Sequence, residues 1–170
     1  MGKEIIIVTI SLGNDGAERI LTELARQWHH DGHRITVIQT SPNRYGTEYA
    51  LPEGIEQVQI QTTSSNKIIR FLQEIKALIG ILKQRPNATC LSFLSASSFI
   101  LAISSWFVKN RMVFSERNNP RKVPIGKHQQ ILRNFAFRFA DALVFQTEDA
   151  KSYFSKSIQS RGHIIPDPIN

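Results

Sequence analysis

Short runs of β-branched residues alternate with helical stripes along the whole of this 170-residue chain. No other feature restricts the fold as much. Glu4–Ile10 is a nearly continuous apolar run, the pattern of a strand buried on both faces. Ala17, Ile20, Leu21, Leu24, Ala25 and Trp28 then share one face of a helix. Asp15 and Glu18 have capping-box spacing, with Asp in place of Ser or Thr, and Gly32 supplies a left-handed stop. Arg34–Thr40 predicts a second strand, and Ser41–Gly54, with two Pro and two Gly, a loop or short hairpin. Ile55–Gln61 alternates in period two and predicts a third strand. Ile68, Leu72, Ile75, Ile79 and Leu82 mark a second helix that stops before Pro86.

The rhythm continues to the end. Ala88–Leu94 predicts a strand, Ser95–Phe107 a helix apolar on most sides, and Arg111–Ser115 another strand. A polar loop leads to a helix marked by Ile131, Leu132, Phe135 and Phe139, which leaves Phe137 off the apolar face as an exposed contact. Ala142–Gln146 is a strand, Thr147 caps the next helix, and His163–Pro166 is a last short strand. This order implies an α/β fold, a Rossmann-like doubly wound parallel sheet in a single domain. Such sheets bind ligands beyond the carboxyl ends of their strands, near a topological switch point. The loops that matter are then Ser11–Gly16, Ser41–Gly54, Leu94–Ser98, Ser115–Lys127 and Gln146–Asp149, where the polar residues also concentrate.

Composition excludes several classes. One cysteine, Cys90, rules out an internal disulfide framework and a multi-cysteine zinc site, and suits a reducing compartment. The run Ile5–Ile10 is too short for a signal-peptide core or a membrane span. The chain reads as cytoplasmic, with the inner face of a membrane as a place it can lie. Its formal net charge is +7. From Lys109 to Arg138 there are eight basic residues and one carboxylate, Glu116. That segment favours an anionic partner, such as a phosphorylated ligand or an acidic lipid surface. No recognition helix or RNA-binding aromatic motif accompanies the charge, so nucleic acid is not expected.

Two loops carry unusual chemistry. Gly13 and Gly16, around Asn14 and Asp15, let a ligand approach the backbone at a helix N-terminus, where free N–H groups favour an anion. The spacing is neither the dinucleotide fingerprint nor a P-loop, and a tight strand–helix turn is an equal reading. In "FSERNNPRKVPIGKH", Glu116 follows a buried strand and precedes Arg117, Asn118 and Asn119. Those groups can orient hydroxyls and a phosphate, or Glu116 and Arg117 can pair simply to shape the loop. Cys90, Trp28, Trp106 and most helical Phe residues read as core. No metal-ligand motif is present.

In order along the chain, these residues resemble a known family. "GNDGAERILTELARQWHHDGHRITVIQT" resembles the first βαβ unit of GT-B glycosyltransferases, in particular glycosyltransferase family 4. "FSERNNP", "DALVFQTEDAKSYF" and "IIPDPIN" are similar to later segments of that family, the last to its interdomain linker. Asn14-Asp15 between the glycines and Asp167 in the linker depart from the usual pattern. The resemblance implies a Rossmann-like N-terminal domain over 1–166, with 167–170 beginning a linker. The family's second domain, which holds most of the donor, would follow Asn170.

What the resemblance implies is retaining transfer of a sugar from a nucleotide-sugar to a glycan or lipid-pyrophosphate acceptor, with no cofactor or essential metal. It assigns catalysis to Glu116 and Arg117. Gly13, Asn14, Asp15 and Gly16 supply donors to the phosphate. Asn118, Gln146 and Thr147 bind substrate. Arg121, Lys122 and Lys127 attract a lipid-pyrophosphate or an anionic membrane. Taken alone, the chain is expected to be inactive until a donor-binding C-terminal half completes it. The alternative is a stand-alone, non-catalytic module that binds an anionic ligand or a partner protein.

Overall fold

The computed structural model describes residues 2–13, 16–40, 49–93, 95–123 and 125–166. Seven strands form one parallel sheet: β1 (Glu4–Thr9), β2 (Arg34–Gln39), β3 (Glu56–Gln59), β4 (Thr89–Ser92), β5 (Arg111–Glu116), β6 (Ala142–Phe145) and β7 (Gly162–Ile164). Their order is β3-β2-β1-β4-β5-β6-β7. The chain starts in the middle of the sheet, builds outward to β3, returns to lay β4 against β1, and then builds the other way. Ile5 pairs with Ile35 on one side and with Thr89 on the other. The switch point therefore lies between β1 and β4. The doubly wound parallel sheet is the fold expected from the alternation.

Among the described residues six helices connect the strands: α1 (Gly16–His30), α2 (Lys67–Lys83), α3 (Ser95–Ser104), α4 (Lys127–Phe137), α5 (Glu148–Ser152) and α6 (Lys156–Gln159). A 3₁₀ turn over Ser105–Phe107 extends α3. Gly32 takes φ +83° just past α1, a conformation that strains any residue with a Cβ. Asn66 caps α2 by accepting from the N–H groups of Ile68 and Ile69, and Thr147 caps α5 by accepting from Ala150. The expected strands shift by one to three residues at their ends: β5 extends to Glu116 and β7 begins at Gly162, while β3, an edge strand rich in Glu and Gln, shortens to Glu56–Gln59. Such polarity suits an edge, which would otherwise template aggregation. Residues 41–48 of the predicted loop and all of 167–170, the proposed linker, lie outside the described residues.

Two apolar clusters flank the sheet. One joins Ile6, Val8, Cys90, Met112, Phe114, Leu143 and Phe145 to residues of α2, α3, α4 and α6 and to Phe154. The other joins Ile7, Ile35, Val37, Leu91 and Phe93 to α1. Alternate strand residues feed the two sides, as the pleat requires.

Three helical faces differ from the periodicity. On α2 the buried residues are Ile75, Leu78 and Leu82, while Ile68 and Leu72 of the expected stripe are exposed. On α4 the buried residues are Arg133, Ala136 and Phe137, and Ile131 and Leu132 face outward. Phe137, expected as an exposed contact, is 1% exposed. Its ring lies 6.4 Å from Phe114 and 5.4 Å from Phe154, so the helix is rotated to bring it into the core. Trp106, expected in the core, is exposed on the 3₁₀ turn, with one side against Phe139 at 5.6 Å.

Candidate functional site

At the switch point β1 ends on polar residues that fold behind the glycine turn. Thr9 Oγ1 donates to the Ser11 carbonyl at 3.0 Å, and Ser11 Oγ donates to Glu18 Oε1 at 3.1 Å. Ser11, Gly13 and Glu18 are buried. Glu18 thus turns its carboxylate inward from the first turn of α1, a role its capping-box spacing does not announce. Asn14 and Asp15 lie outside the described residues. Tyr49 N–H donates to the Leu12 carbonyl at 2.8 Å and ties the end of the loop after β2 to this turn.

Gly16 is exposed at the start of α1. Its backbone is not left-handed, and a Cβ built on it would meet nothing within 4 Å. The described chain places nothing there that demands glycine. The open space instead faces the beginning of a 15-residue helix, where N–H groups and the dipole favour an anion.

The loop after β5 holds the second expected group. Glu116 and Arg117 were expected to work together or to pair. Their side chains do not pair, because neighbours on extended backbone point to opposite faces. Glu116 turns toward α4 and pairs with Arg133, Nη1 to Oε2 at 3.3 Å. Arg117 lies on the other side, its guanidinium 5.2 Å from the centre of the Phe93 ring. Glu116 is 6% and Arg133 2% exposed. Asn118 N–H also donates to Glu116 Oε1 at 3.2 Å. Burial pushes the Glu116 carboxyl above the usual carboxylate range, while the Asn118 N–H, the Arg133 charge and the Arg117 N–H pull it back. Its carboxylate is therefore placed to hold the loop rather than to stand open at the sheet edge.

Arg133 is the residue that sequence reasoning missed. Its Nε and Nη2 are buried without a hydrogen-bond partner. Its guanidinium lies 4.8 Å from the Phe154 ring centre and 5.6 Å from that of Tyr153, so aromatic faces meet part of the charge. One signal was available: Arg133, Ala136, Phe137 and Ala140 form a second helical stripe, mostly apolar, beside the one marked by Ile131 and Leu132.

The remaining expected groups divide between structure and surface. Asn119 Nδ2 donates to Asp149 Oδ2 at 2.6 Å, and its Oδ1 accepts from Arg121 N–H at 3.0 Å. Arg121 binds the Asp149 carboxylate and donates to Ser152 Oγ at 3.0 Å. Asn119 and Arg121 hold Asp149 below the usual carboxylate range. Arg121 is thus engaged in joining the β5 loop to α5, whereas Asn118, Lys122 and Lys127 are exposed. Gln146 is half-buried at the end of β6, and the Thr147 hydroxyl is used in the α5 cap. On β4, Ser92 Oγ lies 2.5 Å from Ser98 Oγ at the start of α3. Burial pushes the Cys90 thiol up to about 12, which suits its place in the core. Among the described residues no group of three or more His, Cys, Asp or Glu could hold a metal ion. None of the described helices is long and apolar enough to cross a membrane.

The carboxyl edge of the sheet thus gathers a glycine-bearing helix start, a buried polar pair behind it, and a loop braced by Glu116–Arg133 and Arg121–Asp149. The sequence pattern of Glycosyltransferase Family 4 matches residues 14–170. Comparison with curated proteins found no match. Among solved structures, HepE of Anabaena in complex with UDP is 13% identical, with TM-score 0.73, and 98% of this chain covers 44% of it. The lipopolysaccharide outer core galactosyltransferase WaaB is 11% identical, with TM-score 0.74 over 98% of this chain and 46% of its own. Sucrose-phosphate synthase of Thermosynechococcus elongatus is 10% identical, with TM-score 0.75 over 99% of this chain and 49% of its own. The chain spans less than half the length of these neighbours, and its fold is that of the N-terminal half of a GT-B protein.

Proposed function

The chain belongs to glycosyltransferase family 4, and from that premise we propose that it is the acceptor-side half of a retaining glycosyltransferase. It would move a sugar from a nucleotide-sugar to a glycan or lipid-linked acceptor once a donor-binding half faces it. The observation that carries this reading is the open space over Gly16 at the start of α1, on the sheet edge where the other candidate groups gather.

In this reading each group has a physical task. The developing charge on the leaving diphosphate needs fixed donors, and the N–H groups around Gly13–Gly16 supply them without reorganisation. Glu116, braced by Arg133, acts as a positioning residue that fixes Arg117 and Asn118, and Asn118 and Arg117 hold the sugar or acceptor hydroxyls close to the reacting carbon. Lys122 and Lys127 draw in a phosphorylated acceptor, or an acidic membrane on whose cytoplasmic face the protein works.

The test is transfer itself. The purified 170-residue chain, given UDP-glucose, UDP-galactose and other nucleotide-sugars, is expected to give no turnover. The same chain completed by a donor-binding half, fused or added, is expected to transfer one of them. Turnover by the chain alone, or none by any completed form, would overturn the reading.

Gly16→Ala sharpens it. A methyl group there has space, and alanine favours a helix over glycine, so the melting temperature should hold or rise, by up to about 1 kcal/mol in stability. Transfer by the completed enzyme should fall by about tenfold or more, because the methyl stands where the diphosphate approaches. A loss of stability that parallels the loss of activity would make the glycine structural.

A further inference from the structure

Glu18 stands where the helical pattern asks for an apolar residue. With Leu21, Thr22 and Ala25 it forms the buried stripe of α1, at positions i, i+3, i+4 and i+7. Its exposure is 3%. A buried carboxylate costs free energy that an apolar side chain of the same shape would not. Stability alone therefore does not account for it.

Its neighbours indicate what it holds. Ile7 packs in the cluster under α1, and the pleat puts Thr9 on the same side. Thr9 Oγ1 fixes the Ser11 carbonyl, and Ser11 Oγ in turn donates to the Glu18 carboxylate. Thr22 Oγ1 donates to the Glu18 carbonyl at 2.9 Å. All four residues are buried. The bond from Ser11 to Glu18 joins the end of β1 to the first turn of α1, so it closes the base of the segment that carries Gly13 and Gly16. Tyr49 N–H adds a second tie, at Leu12. Glycine lends a turn little stiffness of its own. Donors that stabilise a developing charge must be fixed before it forms. A glycine turn with that task needs a brace from outside its own backbone.

We propose that Glu18 is a positioning residue: through Ser11 it fixes the glycine turn in the shape that meets the leaving diphosphate. The proposal rests on the acceptor-side reading. Glu18 is buried while Gly16 is exposed, so Glu18 acts from behind the turn and not by contact with substrate. Its hydrogen bond matters here, not its charge. A side-chain amide keeps that bond, since its oxygen also accepts from the Ser11 hydroxyl.

Two variants separate bracing from packing. Ser11→Ala/Glu18→Leu removes both partners and leaves apolar groups of similar shape, so it should melt within about 3 °C of the wild type. Glu18→Gln keeps the bond and loses the charge. In the purified 170-residue chain, amide exchange at Leu12, Gly13 and Gly16 should quicken by at least about tenfold in the double variant, and by less than about threefold in Glu18→Gln. In the enzyme completed by a donor-binding half, the double variant should lose at least about tenfold in kcat, with KM for the nucleotide-sugar changed by less than about twofold. Glu18→Gln should keep kcat within about threefold. Unchanged exchange in the double variant overturns the proposal. So does a fall in kcat that only tracks a fall in melting temperature, or a Glu18→Gln enzyme as slow as the double variant. If a completed enzyme transfers sugar and the double variant matches the wild type, this inference falls and the proposed function stands. If exchange responds as stated but no completed form transfers sugar, the acceptor-side reading falls and the brace stands on exchange alone.

Discussion

Arg133→Met is expected to lower the stability of the folded protein by about 3–5 kcal/mol at neutral pH, because it leaves Glu116 buried without its counter-charge. The loss should depend on pH, and its sign follows from the raised carboxyl. Burial holds the Glu116 pKa above its unfolded value, so the folded protein keeps that proton to higher pH than the unfolded chain does. The stability gained from protonation is fully present below the unfolded pKa and is lost as pH rises through the folded pKa. Arg133 pulls that pKa down, so its removal raises it further and widens the window of loss. The deficit of Arg133→Met should therefore be smallest in acid and grow toward neutral pH. Urea melts of the wild type, Arg133→Met, Glu116→Gln and the double variant, from acid to neutral pH, measure it. The double variant should recover a large part of the deficit, since it removes the stranded charge. Strict additivity, with a deficit independent of pH, would mean that Arg133 contributes only by filling space.

Phe137→Ala carries the second large effect. The ring is 1% exposed and packs between Phe114 and Phe154, so truncation leaves a cavity between the sheet and α5. The expected cost is about 3–5 kcal/mol, a drop in melting temperature on the order of 10 °C for a domain of this size. Trp106→Ala, at 60% exposure, should cost only about 1 kcal/mol, from its edge contact with Phe139. Paired thermal melts decide. If the two variants melt together, the rotation of α4 described above is wrong.

That contrast shows where the sequence was legible. The strands and their parallel order followed from alternation alone, since a β-branched run buried on both faces admits few other readings. The stop at Gly32 and the cap at Thr147 were legible because each answers a local backbone demand. The rotation of α4 was not. Residues 131–140 contain two apolar stripes, and periodicity weighs hydrophobicity without knowing that Arg133 has a carboxylate waiting across the sheet edge. The buried face was settled by an ion pair 17 residues apart in sequence, which no window of helical length contains.

The candidate site divides the same way. The loops at the carboxyl edge were legible from topology, because the switch point dictates where polar residues gather. The pairing of Glu116 with Arg117 was misread because adjacency in sequence means opposite faces on extended backbone. Arg121, read from the sequence as a ligand contact, meets Asp149, a partner 28 residues away. Gly16 could not be resolved as a letter, since glycine serves a turn or a ligand equally. The structure adds that a Cβ there would meet nothing within 4 Å.

The strand order has a consequence for how the chain must emerge from a ribosome. β1 pairs with β2 within the first 39 residues, but its other edge is bare until β4 has been made, since Ile5 meets Thr89 and Val8 meets Ser92. Through the synthesis of β2, β3 and α2, the apolar strand β1 presents an unpaired edge, the kind of surface that recruits wrong strands. From β4 onward the sheet grows in one direction only, with β5, β6 and β7 each added beside its predecessor. Vectorial synthesis thus divides the chain into an early stretch that waits on a distant partner and a late stretch that closes as it is made. Translational pauses or chaperone contact would matter most before residue 92 and least after it.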